Sequence, residues 1–384
     1  MPRREREEQR QEETEPRKKR LFQPARGDAP SRPVGSQPSA AAAAAALPIA
    51  GGSLPVWAPW AVLVAVAAIL TVLGIGIAAM LVLAVIVSGV VTYIWSRAVE
   101  GRRKATDRGV TFLVTAAFAV AVAPLISLLY TVIQKGAARF DADFFTISMR
   151  GVIGEGGGAY HAIVGTLIIT ACATVISVPI GVMTAIYLQE YGTGRRLARA
   201  VTFFVDVMTG IPSIVAGLFA YAVFAIFFGP GVRLGIIGAV ALSVLMIPIV
   251  VRSTEEMLRI VPNHLREAAY ALGVPKWRTI VKVVLPTSLA GILTGVMLAI
   301  ARIIGETAPL LITTGVVTSM NFNPFDGRMM NLAVYAFSQY KSPGVPPEPA
   351  FERAWSAALT LIIIVMVLNL LARLLYRRFG TEVR

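Results

Sequence analysis

The sequence is short of nearly everything a soluble enzyme uses. Its 384 residues hold one cysteine and two histidines. Only 15% of residues are charged, against roughly 25% in soluble domains. The lone Cys172 sits in an apolar run, so no disulfide can form within the chain. His161 and His264 stand far apart without ligand-like neighbours, which argues against a histidine-based metal centre. There is no H-E-x-x-H, no G-x-x-x-x-G-K-[ST] and no G-x-S-x-G, so zinc-protease, P-loop and nucleophile-elbow chemistries lack their motifs. The missing P-loop has a further consequence: if ATP drives this protein, another chain binds the nucleotide.

What is present is apolar length. Hydrophobic residues make up 56% of the chain, and they gather in uninterrupted runs long enough to cross a bilayer. The fold class expected is an all-α polytopic membrane protein. Residues 1–56 mix charges with a Pro/Ser/Gly stretch and an alanine tract, a composition expected to stay a disordered cytoplasmic tail. Within it, Arg17, Lys18, Lys19 and Arg20 offer at most a weak contact to anionic lipid. The forty apolar residues that follow are broken by Gly74, Ile75 and Gly76, predicting a two-helix transmembrane hairpin, with its basic loop, over 57–109. Trp57, Trp60, Tyr93 and Trp95 stand near its ends, where interfacial aromatics belong. Six more spans are predicted at about 110–133, 161–188, 201–228, 235–252, 288–315 and 354–375, with 377–384 as a cytoplasmic C-terminus.

The net charge of +14 would suggest a nucleic-acid partner in a soluble chain. Here it reads as topology. With the N-terminus in the cytoplasm, the cytoplasmic segments hold 28 of the 36 Lys and Arg, the opposite face holds 7, and Arg302 is left inside a span. The positive-inside rule then places both termini in the cytoplasm.

Residues 253–286, a cytoplasmic loop on this topology, carry consistent helix signals. Asn263 after Pro262 reads as an N-cap, Leu265, Ala268, Ala269 and Leu272 share one face, and Gly273 and Pro275 supply the stop. Arg266, Glu267 and Tyr270 add polar contacts, and a second amphipathic piece over 276–285 leads into the next span. Glu267, Ala268, Ala269, then Gly273, and nine residues later Val283, Leu285 and Pro286, resemble the EAA loop of ABC importer permeases, with Val283 in place of the usual Ile. The resemblance implies a type I permease that docks this loop into a separate ATPase. By that resemblance Glu267, Ala268, Ala269 and Gly273, with Arg266 and Leu272, form the coupling contacts.

Four further segments narrow the family: YLQEY at 187–191, DVMTGIPSIVAGLF at 206–219, PIVVRSTEE at 248–256 and ARIIGETAPL at 301–310. Together they resemble the PstA family of phosphate ABC importer permeases over roughly 110–376, leaving the first 109 residues uncovered. The resemblance implies half of a translocation pathway for inorganic phosphate in the cell membrane. It also implies a PstC-type permease, a PstB-type ATPase dimer and an extracytoplasmic phosphate-binding protein as partners, with ATP and Mg bound by the ATPase and no cofactor in this chain.

The charges inside the spans are the pathway candidates. Arg302 and Glu306, four residues apart in the seventh run of the chain, are expected on one helix face within the hydrocarbon, with Glu306 neutralising the arginine between substrates. A guanidinium fork stays charged and grips two oxygens of an oxyanion, so the pair suits phosphate, a structural ion pair being the alternative. Arg252 at the end of the preceding span is a second candidate, or else an interfacial anchor. Thr307 and Ser213 add hydroxyls. Near Asp206, Gly210 and Pro212 predict a kink in the fifth span, with a broken helix offering free N–H groups to an anion as the alternative. Other functions leave weaker traces. An ion-gradient transporter would show repeated spans and more intramembrane acids than Asp206 and Glu306; a permease for molybdate, sulfate or phosphonate would look much the same.

Overall fold

The computed structural model describes residues 54–74 and 76–379. The expected tail, with its basic cluster at 17–20, lies almost wholly outside the described residues, as do residues 380–384. Among the described residues every regular element is helical. Helices α1 (Ala58–Val72), α2 (Ile77–Glu100) and α3 (Arg102–Gly136) are followed by the short α4 (Ala142–Thr146). Then come α5 (Tyr160–Ile186), α6 (Arg196–Thr209), α7 (Ser213–Phe228) and α8 (Gly235–Ile260). Next are α9 (Asn263–Ala271), α10 (Lys276–Thr279), α11 (Leu285–Ile303) and α12 (Ala308–Thr313). The series closes with α13 (Leu332–Lys341) and α14 (Glu348–Phe379). Single π-helical turns extend α5 over Tyr187–Tyr191 and join α10 to α11 over Ile280–Val284.

Six of these helical stretches are long and apolar enough to cross a membrane, and α6 with α7 makes a seventh if that bent pair counts as one. Helices α1 and α2 occupy the residues of the expected hairpin, and α1 has 15 residues, about 22 Å of helix against the roughly 30 Å of a hydrocarbon core. The described residues divide into two compact units, between Ala119 and Val120 within α3.

In the first unit α1 packs on α2, and the start of α3 lies close against α2. A Cβ on Gly89 would come within 3.1 Å of the Phe112 ring, and one on Gly109 within 3.2 Å of Tyr93. In a bilayer the lipid is as apolar as the helices, so small residues that admit close packing hold such contacts together.

In the second unit α8 is the central helix, flanked by α5, α7, α11 and α12. Of its most apolar stretch 61% is buried, against 11% for α14. Ala239, Leu242, Met246, Val250 and Leu258 form its buried face. Glycines set the approach of its neighbours: a Cβ on Gly181 of α5 would lie 2.7 Å from Val250, and one on Gly238 would lie 2.8 Å from Leu310 of α12.

One end of this unit, the base, gathers residues 187–195 and 261–275. The other, the crown, gathers residues 137–159 and 314–347. At the crown, Arg353 donates to the carbonyls of Gly154 and Gly156 at 2.8 and 3.0 Å. Arg139 donates to that of Gly157 at 3.1 Å. Two arginines thus order a loop whose glycines adopt positive φ. His161 is buried at the start of α5, with its ring edge-on to Tyr335 at 5.5 Å. Burial pushes the Tyr335 hydroxyl up to about 12, with the Arg353 and Arg139 charges pulling the other way.

Two expectations need correction. The fifth span is not kinked but folded back: α6 and α7 meet at 111°. Pro212 cannot donate to the preceding turn, and α7 then packs on α12, where a Cβ on Gly217 would lie 2.6 Å from Pro309 Cα. The span expected over 288–315 ends as a regular helix at Ile303 and restarts at Ala308, because Gly305 loosens the chain and Pro309 fits only a helix's first turn. Within 253–286 lie the helices α9 and α10, where helix signals were read, and the end of α8, which runs on to Ile260, past the span expected to end at 252, because a helix leaving the hydrocarbon can carry charge freely.

Candidate functional site

Two breaks meet in the second unit. Met208, Thr209, Ile211, Pro212 and Ser213 from the α6–α7 fold, with Leu245, Pro248 and Ile249 of α8, face Arg302, Ile303 and Glu306 across a cavity of about 320 Å³. Each break has a local cause. Gly210 and Pro212 end α6, and Gly305 and Pro309 separate α11 from α12.

Arg302 is exposed to the cavity, and among the described residues it forms no ion pair. This corrects the expected pairing with Glu306. The helix ends at Ile303, so the two residues are not one turn apart on a shared face, although both line the cavity. Ser213 lines it as well. Thr307 stands directly before α12, outside the lining.

Arg252 is one turn beyond Pro248 on α8 and is paired with two carboxylates. Its Nη1 lies 2.8 Å from Glu255 Oε2, and its Nη2 is paired with Asp206 of α6. It therefore ties α6 to α8 beside the cavity, and Asp206 has a partner that sequence reading did not assign. The two arginines differ in kind: one is neutralised by two carboxylates, the other is free to meet an anion.

At the base, α9 begins directly after Pro262 and ends in a Schellman motif. The Val274 N–H donates to Ala269 O at 3.1 Å and the Gly273 N–H to Tyr270 O at 2.9 Å, with Gly273 at φ 75°. Asn263 is the first helical residue rather than a side-chain cap. Glu267, Ala268, Leu272 and Gly273 are exposed, whereas Ala269 is buried. Arg266 is turned inward, in contrast to its expected place among the docking contacts. It holds Glu190 Oε1 at 2.8 and 3.1 Å and donates to the carbonyls of Val261 and Leu258 at 2.6 and 2.9 Å. Glu190 is itself buried, with 6% of its side chain exposed. Lys276 closes the other side of the loop, bonded to the Glu190 carbonyl and 4.9 Å from the Tyr191 ring centre. The π-helical turn at 187–191 is thus the seat of the loop. The sequence held its residues but no signal for this role, because Glu190 and Arg266 meet only through the tertiary fold.

Comparison with known proteins agrees with this architecture. Residues 177–384 match the family model of the binding-protein-dependent transport system inner membrane component. The phosphate transport system permease protein PstA 1 of Mycobacterium tuberculosis is 47% identical over 277 residues, covering 71% of this chain and 89% of the relative. The PstA of Mycobacterium leprae is 45% identical, covering 71% and 90%, and that of Pasteurella multocida is 41% identical, covering 65% and 86%. Among solved structures, a bacterial alginate ABC transporter with a pentasaccharide-bound periplasmic protein aligns at a TM-score of 0.52 and 13% identity, covering 73% of this chain and 96% of that one. That likeness concerns the fold. The chain belongs to the family of binding-protein-dependent transport system inner membrane components, within its PstA branch.

Proposed function

We propose that this chain is the permease subunit of an ATP-driven phosphate importer, supplying half of the translocation pathway. The observation that carries the reading is Arg302, an exposed guanidinium without a carboxylate partner among the described residues, in a cavity of about 320 Å³ between two broken helices. An oxyanion there gains charge-assisted hydrogen bonds from the guanidinium fork. The Ser213 hydroxyl adds a donor, and Glu306 accepts from a protonated phosphate oxygen. Arg252, held by Asp206 and Glu255, is the next cation along α8.

The exposed face of α9, with Glu267, Ala268, Leu272 and Gly273, is the surface offered to an ATPase. Glu190 and Arg266 carry its displacement into α5 and α8, whose neighbours wall the cavity. On this reading both termini are cytoplasmic, and the partners are a PstC-type permease, a PstB-type ATPase dimer and an extracytoplasmic phosphate-binding protein. ATP and Mg are bound by the ATPase.

The test is uptake of labelled phosphate by the reconstituted complex. Arg302→Gln should lower uptake by roughly ten- to a hundredfold, the loss of a charge-assisted contact, at unchanged expression. Full uptake by that variant would defeat the reading. Competition by molybdate, sulfate and phosphonate separates phosphate from the other oxyanions.

A further inference from the structure

We propose that the basic end of the N-terminal unit binds an anionic phospholipid, its headgroup phosphate on Arg102, Arg103 and Lys104 and an acyl chain along α3. Three chain segments converge at this end. The Leu54 N–H donates to Glu100 Oε1 at 2.7 Å, Ser96 donates to Glu100 Oε2 at 2.7 Å, and Arg108 Nε lies 2.7 Å from the same carboxylate. Arg108 also donates to Pro55 O at 3.3 Å. The start of α1, the end of α2 and the start of α3 are therefore knotted together around Glu100.

The knot consumes one cation and leaves the rest. Arg97, Arg102, Arg103 and Lys104 are exposed, and none forms an ion pair with a described residue. Arg102, Arg103 and Lys104, with Thr106, Asp107 and Val110, line an open surface cleft along the start of α3, in which Asp107 is the one acid among the described residues.

The order of groups along α3 matches a lipid rather than a soluble anion. Residue 103 shares a helix face with 106, 107 and 110, with 102 and 104 flanking it, and beyond the cations the surface becomes apolar, with Val110, Leu113 and Val114 exposed at 55%, 66% and 63%. Trp57 and Trp95, 66% and 43% exposed, stand at the same end, where interfacial aromatics belong. The opposite end of the hairpin carries exposed apolar side chains such as Val72 and Leu73. Phosphate chemistry is common to a lipid headgroup and to the free ion; the apolar continuation selects the lipid. Each cation near an anionic surface favours it about fivefold.

The full chain, reconstituted in phosphatidylcholine vesicles, can be tested with spin-labelled phosphatidylglycerol and spin-labelled phosphatidylcholine. The wild-type chain should immobilise the anionic probe at least about fivefold in preference, and combined Arg102→Gln, Arg103→Gln and Lys104→Gln substitution should remove that preference. Thr106→Glu keeps every residue that orients the chain in the membrane and should weaken the preference by placing a second acid in the cleft. An unchanged preference in both variants, or its abolition by excess inorganic phosphate, would overturn the proposal.

Discussion

Arg302 and Arg266 occupy the same fold under opposite conditions. Arg266 at the base spends its donors on Glu190 and on the carbonyls of Val261 and Leu258, with 12% of its side chain exposed. Arg302 at the cavity spends none on a carboxylate of the described residues and remains exposed. A satisfied, buried guanidinium fixes the position of a loop; an unsatisfied, exposed one is available to a ligand. The contrast separates architecture from recognition more clearly than residue type does, since both are arginines.

Substitutions should divide along that line. Glu190→Gln leaves the Arg266 charge buried without its counter-ion, a situation that costs about 3 to 5 kcal/mol. Thermal unfolding of the purified chain should show the largest loss of the set, and ATP hydrolysis in the complex should lose its link to uptake. Wild-type stability in this variant would remove the scaffold role of Arg266. Asp206→Asn tests the intermediate case. Its pair with Arg252 is partly exposed on both sides, so the effect on folding should lie between nothing and about 1 kcal/mol, read from the same unfolding curves. Arg302→Gln should shift stability by no more than about 0.5 kcal/mol, because no internal partner is lost, while uptake collapses. A large loss of stability would place Arg302 with Arg266 instead.

The parts legible in the sequence were those that repeat along the chain. Hydropathy marked the spans because each is a local run, and the α9 loop was visible because its helix and stop signals lie within a dozen residues. The turn at Gly210 and Pro212 was legible as a weakness but not as a 111° fold, whose size depends on α7 meeting α12 at Gly217 and Pro309. The break after Ile303 had its signal in Gly305 and Pro309, obscured by the apolar run around them. The Glu190–Arg266 pair spans 76 residues, and no periodicity reports such a contact. Arg252 shows the same limit, since its partner Asp206 lies on another helix.

The central claim is that phosphate enters the cavity between the two breaks and meets Arg302. It can be tested with a thiol introduced by Ser213→Cys, in a Cys172→Ser background, in the assembled transporter. The rate of alkylation at position 213 by a small charged reagent is measured with and without phosphate during ATP turnover. The account predicts that phosphate slows alkylation and that Arg302→Gln abolishes this protection. Alkylation indifferent to phosphate, in a complex that still transports it, would contradict the account.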